Sequence, residues 1–332
     1  MPLSWEQRVE RRRRARRRLR LRRLAALGAL VGPIVLLSAV LLAAHSGRSG
    51  AAIPARGRPA APRRPRPDPP KTLPRGGRTL LPGHLVVAYY GIVGTSNILG
   101  QTRDPEADAA GVERTAAAYA HLRQRVQPAF ELVTTIASPY AGRDGTYSAP
   151  IDTATLRRYL RAAHRHRLLL ILDFQPGRGD FLPEVRRYAR FLLDPAVGVA
   201  LDPEWKLTAA QVPDEVIGAS SAGPINAVSS YLATLVAAHR LPQKLFIVHQ
   251  FRDSELPDRQ NIRLRPGLAT VLQMDGLGPV ATKLDAYRQV MRGAVGFIPG
   301  FKVFLRRIDD PILLTPRQVL SLHPRPRYVS YQ

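Results

Sequence analysis

The stretch 168-LLLILDFQPGRGDFLPEVRRYARFLLDPAVGVALDPE-204 decides the fold. It opens on an apolar run of strand length, 168–175, continues into a helix-like segment over 183–193, and closes on a second apolar run, 197–204. Pro183 falls near the first turn of the helical segment, where its missing N–H costs nothing. Near-continuous apolar runs are the pattern of strands covered on both faces, as in a parallel sheet wrapped by helices.

Outward from this unit the same alternation recurs. Strand-like runs are 84-HLVVAYYG-91, 131-ELVTTIAS-138, 244-KLFIVHQF-251, 269-ATVLQMDG-276, 300-GFKVFLRR-307 and 327-RYVSYQ-332. Helical patterns lie at 104–126, 152–165, 224–240, 279–292 and 316–322, the last three with a proline near the first turn. Within 152–165, Leu156, Tyr159, Leu160 and Ala163 recur at helical spacing. Pro257 and Pro266 mark 252–267 as an irregular loop. Eight strands alternating with helices over residues 84–332 predict a (β/α)8 TIM barrel of the α/β class. A doubly wound open sheet is the alternative. It usually has fewer strands and brings a glycine-rich phosphate turn, and Gly91-Ile92-Val93-Gly94 lacks the third glycine.

Upstream of the barrel the character is different. Residues 24–44, LAALGALVGPIVLLSAVLLAA, carry no charge and span about 30 Å as a helix, the thickness of a bilayer core. Eleven arginines precede this run between Arg8 and Arg23, and only Arg48 follows in the next ten residues. That asymmetry predicts a single-pass cell-membrane anchor with residues 1–23 cytoplasmic and the barrel outside. A cleaved signal peptide would have a shorter apolar core and a better cleavage site than Leu42-Ala43-Ala44. Residues 45–83, with nine prolines and nine basic side chains, read as an extended linker.

The net charge of +25 is concentrated in these arms, since residues 84–332 hold 30 basic and 22 acidic side chains. The expected partner of the inner arm is anionic membrane lipid, not nucleic acid; no folded basic face with interleaved aromatics is apparent. Cysteine is absent, so neither a disulfide nor a lipidated thiol can act as staple or anchor.

In a barrel of this kind the C-terminal ends of the strands face the active site. Asp173 and Gln175 end the third predicted strand, Asp202 and Glu204 the fourth, and Gln273 and Asp275 the sixth. Members of each pair are two residues apart and share a face. Their neighbours of opposite parity, Leu172, Phe174, Leu201, Leu272 and Met274, suit the layer beneath the helices. The polar set is therefore expected to converge on the barrel mouth, joined by either His249 or Gln250. One such Asp would be an ordinary strand-end polar group, but several packed acids cost free energy without a use. No H-x-H or H-E-x-x-H spacing is present, so neither a metal nor another cofactor is expected.

Glycoside hydrolysis needs one protonated carboxyl as acid and negative charge to stabilise an oxocarbenium-like state. Asp202 and Glu204 are the expected catalytic pair, with Glu204 held protonated by its neighbour. Asp173, Gln175, His249, Gln273 and Asp275 would bind substrate, and Tyr89, Tyr90, Trp205 and Tyr331 could stack on sugar rings. The Asp-x-Glu of 202–204 resembles the end of the D-x-x-D-x-D-x-E motif of chitinase-like family 18 glycoside hydrolases and the D-x-E of family 25 muramidases. Val86-Val87-Ala88-Tyr89-Tyr90-Gly91 resembles the chitinase first strand, and Gln273-Met274-Asp275-Gly276 its sixth-strand M-x-Y-D. Val197 and Val199 stand where the longer motif has its first Asp residues, and Met274 replaces the Tyr. The Arg-, Ala- and Pro-rich style also resembles anchored or secreted proteins of high-GC Gram-positive bacteria. The resemblance implies Glu204 as general acid, supported by Asp202 and Asp275, acting on a cell-wall or extracellular glycan. A non-catalytic glycan-binding or envelope-scaffold protein on a hydrolase-like barrel is the alternative.

Overall fold

The computed structural model describes residues 71–95, 98–305 and 312–332. The expected cytoplasmic segment, the anchor helix at 24–44 and the linker up to residue 70 lie outside them. Among the described residues no helix is long and apolar enough to cross a membrane.

Eight strands run parallel: β1 (Leu85–Gly91), β2 (Val126–Ala137), β4 (Leu169–Phe174), β5 (Val197–Leu201), β6 (Lys244–Gln250), β7 (Leu268–Met274), β8 (Ile298–Val303) and β9 (Tyr328–Tyr331). Each pairs with the next, and β9 returns to β1 through Val86–Tyr328 to Tyr89–Tyr331, which closes the barrel. A short β3 (Ser148–Pro150) adds antiparallel to the end of β2. The fold is a (β/α)8 barrel, as the alternating pattern predicts.

The helices fall in the expected gaps. They are α1 (Pro105–Ala120), α2 (Thr153–His166), α3 (Phe181–Arg187), α4 (Ala189–Leu192), α5 (Ala222–Ala238), α6 (Val280–Met291) and α7 (Pro316–Leu320). Asp104 and Asp152 cap α1 and α2 by accepting from backbone N–H groups of the first turn. Thr315 and Gln318 form a reciprocal capping box on α7. The segment 183–193 is not one helix, because Tyr188 leaves helical geometry between α3 and α4. The loop 252–267 is irregular, with two 3₁₀ turns.

One boundary moved. The helix expected over 104–126 stops at Ala120, where Arg123 turns the chain at φ 59°, and β2 starts at Val126, five residues early. Glu131 is therefore a mid-strand residue.

Strand alternation builds two apolar layers. Outward residues such as Val87, Leu132, Leu170, Leu172, Val199, Phe246 and Leu272 pack beneath the helices. Inward residues Val86, Ala88, Ala129, Leu169, Ile171, Ala200, Leu245, Ile247, Ala269 and Val271 fill the lower barrel. Leu73, Leu80 and Leu81 join that inner cluster. Residues 71–83, read from composition as linker, thus form the barrel's floor. Their anchoring is polar at the rim: Gln243 Oε1 accepts from the N–H groups of Leu80 (2.7 Å) and Leu81 (2.9 Å). Arg78 donates to the carbonyls of Arg240 and Leu241, both at 3.0 Å.

Because Leu80 is fully buried among barrel residues, Leu80→Ala is expected to cost about 2–5 kcal/mol. Urea unfolding checks this; an unchanged midpoint would remove the floor from the cooperative core.

Candidate functional site

Above the apolar floor the inward positions turn polar. Tyr90, Glu131, Asp173, Asp202, His249, Gln273, Lys302, Tyr328 and Ser330 are all buried, one or two from each barrel strand. Gly300 keeps room for Gln273, since a Cβ there would stand 3.1 Å from the Gln273 Cβ and 2.8 Å from Val271. Gln273 then donates to Ser330 Oγ at 2.6 Å.

His249 organises the cluster. Its Nδ1 lies 3.0 Å from Asp275 Oδ2 and its Nε2 2.9 Å from Glu131 Oε1. Ionised carboxylates only accept, so both ring nitrogens carry hydrogen and donate: His249 is an imidazolium. Burial and the Lys302 charge oppose this, and the hydrogen bonds that His249 donates to Asp275 and Glu131 outweigh them, holding the imidazole well above its ordinary pKa. Tyr328 donates to the other Glu131 oxygen at 2.7 Å. Lys302 lies 3.6 Å from Asp275 Oδ2 and 3.6 Å from the centre of the Tyr90 ring, a cation–π contact.

These two cations divide the acids into two kinds. Burial pushes the Asp275 carboxyl up, but Lys302 and His249 more than offset it and hold Asp275 below the usual range. Asp173 is fully buried, and burial raises its carboxyl to about 6. Neither of its oxygens has a hydrogen-bond partner. Asp202 is pushed well above the carboxylate range, first by burial and then by the charge of Glu204. Its Oδ2 accepts weakly from Gln175 Nε2 at 3.4 Å.

Glu204 follows a different rule from the one that places Asp202. β5 ends at Leu201, and Glu204 sits in a 3₁₀ turn, Pro203–Trp205, so strand alternation does not extend to it. It is half-buried, as is Trp205. Its carbonyl accepts from Gly218 N at 2.7 Å. A Cβ at Gly218 would lie 2.1 Å from the Lys206 carbonyl, so the following loop can close on this turn only with glycine there. Of the pair, the deeply buried Asp202, not Glu204, is the one that burial favours as proton carrier. Glu255, from the loop after β6, is a further acid here. It is pushed well above its normal range by burial, then by Asp275 and Glu204.

The expected inward set of Asp173, Gln175, Asp202, His249, Gln273 and Asp275 is brought together. Two aromatic assignments are corrected. Tyr89 faces the helix layer, where its OH donates to the Gly111 carbonyl and meets Thr115 Oγ1. Tyr331 also faces outward, with its OH 2.7 Å from that of Tyr119. Both lie on the wrong parity, and Tyr90 and Tyr328 occupy the interior instead. Gln250 likewise points out of the barrel, to Arg259 and a surface cleft of about 270 Å³.

Glu131, Lys302, Tyr328 and Ser330 were not anticipated. A lone charge inside an apolar strand run, as in 129-AFELV-133 and 300-GFKVF-304, is the signal that could have found the first two, because such a charge must be paired.

Asp202, His249 and Asp275 each bring a potential metal-ligand atom within 4.8 Å of the others. A metal needs a neutral imidazole nitrogen. Here both ring nitrogens face carboxylates and Lys302 stands beside Asp275, so the protein's own cations supply the positive charge.

No family model matches this chain, and no curated protein matches it.

The raised carboxyl of Asp173 sets a pH dependence. An acid whose folded pKa lies above its unfolded value binds more protons when folded, so stability falls as pH rises from about 4 through about 6. Asp173→Asn removes that loss. It is expected to stabilise the protein at pH 7.5 by an amount on the order of 3 kcal/mol, with little effect at pH 4. Chemical unfolding of both proteins at the two pH values checks it.

Proposed function

We propose that this barrel hydrolyses glycosidic bonds in a cell-envelope or extracellular glycan, with Glu204 as general acid. The observation that carries the reading is the division of protonation states at the C-terminal mouth. Asp202 is a buried carboxyl that favours its proton, directly below the more accessible Glu204 turn. Asp275 is held ionised by Lys302 and His249. Pairs of acids pushed apart in this way are what acid–base catalysis at one site requires.

In the proposed reaction the Asp202–Glu204 pair shares a proton, and Glu204, at the mouth, delivers it to the glycosidic oxygen as the C–O bond breaks. The ionised carboxylates of Asp275 and Asp173 stabilise the positive charge that develops on the sugar. Water then adds its hydroxyl to the anomeric carbon and returns a proton to the pair. Gln175, Gln273 and Trp205 border the same space and would orient the sugar. The fourth-strand Asp-x-Glu and sixth-strand Asp agree in position with the chitinase-like pattern, which supports the reading on motif grounds alone. His249 acts here as a positioning residue, through Asp275 and Glu131.

The proposed location is outside the membrane, behind an N-terminal anchor at 24–44. The uncharged run and the arginine asymmetry on its two sides support it.

Glu204→Gln is expected to lower release of reducing sugar from peptidoglycan or chitin-like oligomers by at least about 10²-fold while oligomer binding persists. Binding by the wild type with no release at any pH would replace hydrolysis with a glycan-binding role. The wild-type rate is also expected to fall as pH drops through about 6, where Asp173 takes up its proton. A pH–rate profile with no acid limb in that region would remove Asp173 from the charge-stabilising role.

A further inference from the structure

The polar atoms of the mouth are unevenly used. Its charged and amide donors already face partners inside the cluster: both His249 nitrogens, Lys302 and the Gln273 amide nitrogen, as does the Tyr328 hydroxyl, while the Tyr90 and Ser330 hydroxyls accept from Gln175 and Gln273. Its unsatisfied atoms are oxygens, and those of Asp173, Asp275 and Gln273 only accept. Both oxygens of Asp173, and one each from Asp202, Gln273 and Asp275, are buried with no hydrogen-bond partner. Buried polar atoms without partners are costly, so a ligand that completes this site must bring donors.

Charge narrows the class. Among the described residues, Asp173, Asp275 and Glu131 face two cations, His249 and Lys302, while burial favours the proton on Asp202. Glu204 adds a further carboxyl at the mouth, whereas the buried Glu255 is pushed toward its neutral form and lies 3.5 Å from Arg252. Sugar hydroxyls would satisfy hydrogen bonds and leave the excess negative charge uncompensated. An ammonium supplies three donors and a positive charge together. Uronate, sulfate or phosphate groups would meet carboxylates whose compensating cations are already engaged.

We infer that the mouth takes a glycan residue bearing a free, protonated amino group, a hexosamine without an N-acetyl cap, with its ammonium seated against Asp173. This names the substrate class of the proposed glycan site and rests on that reading. Asp173 is placed for the role by geometry: it lies on the inward face of β4 and is wholly buried, with both oxygens unengaged. The charged groups around it are His249 from β6, Glu131 from β2, Lys302 from β8 and Asp275 after β7.

The test is calorimetric binding to the full chain carrying Glu204→Gln, at pH 7, so that turnover does not consume the ligand. The probes are a short glucosamine oligomer free of acetyl groups, the N-acetylated oligomer of the same length, and a uronate oligomer. The free-amine oligomer is expected to bind at least about tenfold tighter than either other probe. Adding Asp173→Asn should abolish that preference. Equal or tighter binding of the N-acetylated or uronate oligomer overturns the inference, and so does no binding of any probe. The ligand comparison on the Glu204→Gln protein decides even if the protein with Asp173→Asn added does not fold. Failure of wild type to release sugar, with the preference intact, sinks the hydrolysis proposal alone; release from N-acetylated glycans without any preference sinks this inference alone.

Discussion

The ion pairs between His249 and its two carboxylates, Glu131 and Asp275, are the interaction on which the upper half of the barrel depends. Each of these groups would be expensive to bury alone, by several kcal/mol after relaxation. They are tolerable together because the imidazolium has two N–H vectors on opposite sides of one ring, and each finds a carboxylate at 2.9–3.0 Å. Tyr328 then takes the second oxygen of Glu131, and Lys302 joins His249 at Asp275 Oδ2. The network joins β2, β6, β8 and β9 across the barrel axis, and of these only β8 and β9 share a backbone ladder.

Once that network is charge-compensated, the remaining acids are left to themselves. Asp173 and Asp202 receive little help beyond distant cations, and their carboxyls drift upward for lack of solvent and donors. The site thus stores unfavourable free energy in two side chains that hold neither a strand nor a helix in place. Groups kept in this state are commonly found where a ligand later supplies what is missing.

Much of the fold could be read from the chain because the parallel barrel repeats one simple instruction: an apolar strand, a turn, an amphipathic helix. All eight strands overlap the runs read from 84–91 to 327–332, and the inward parity of Asp173, Asp202 and Gln273 follows from alternation alone. What escaped depended on a boundary or on closure. Placing the start of the second strand at residue 131 put Glu131 at its foot, where a charge needs no partner. The Tyr89-Tyr90 pair offers two aromatics of opposite parity, and only the pairing with β9 shows which one enters the interior. The partners of Lys302 are legible only when the barrel closes, since Asp275 and Tyr90 come from chain segments far from it. Glu204 departs for a third reason: β5 gives way to a 3₁₀ turn one residue after Asp202, and period-two logic ends there.

The floor formed by residues 71–83 has a mechanical side. Any pull entering the folded unit through Lys71 meets the Arg78 contacts to Arg240 and Leu241, the Gln243 contacts to Leu80 and Leu81, and Arg75 on the Val126 carbonyl. Load is therefore shared among the feet of β2 and β6 and the segment after α5. From Leu245 at that level to His249 is four residues of strand, about 13 Å. Between the two lies the close-packed layer of Ile171, Ala200, Ile247 and Val271, which has little room to shear. A domain held under tension from its base would keep the spacing of its mouth acids unchanged.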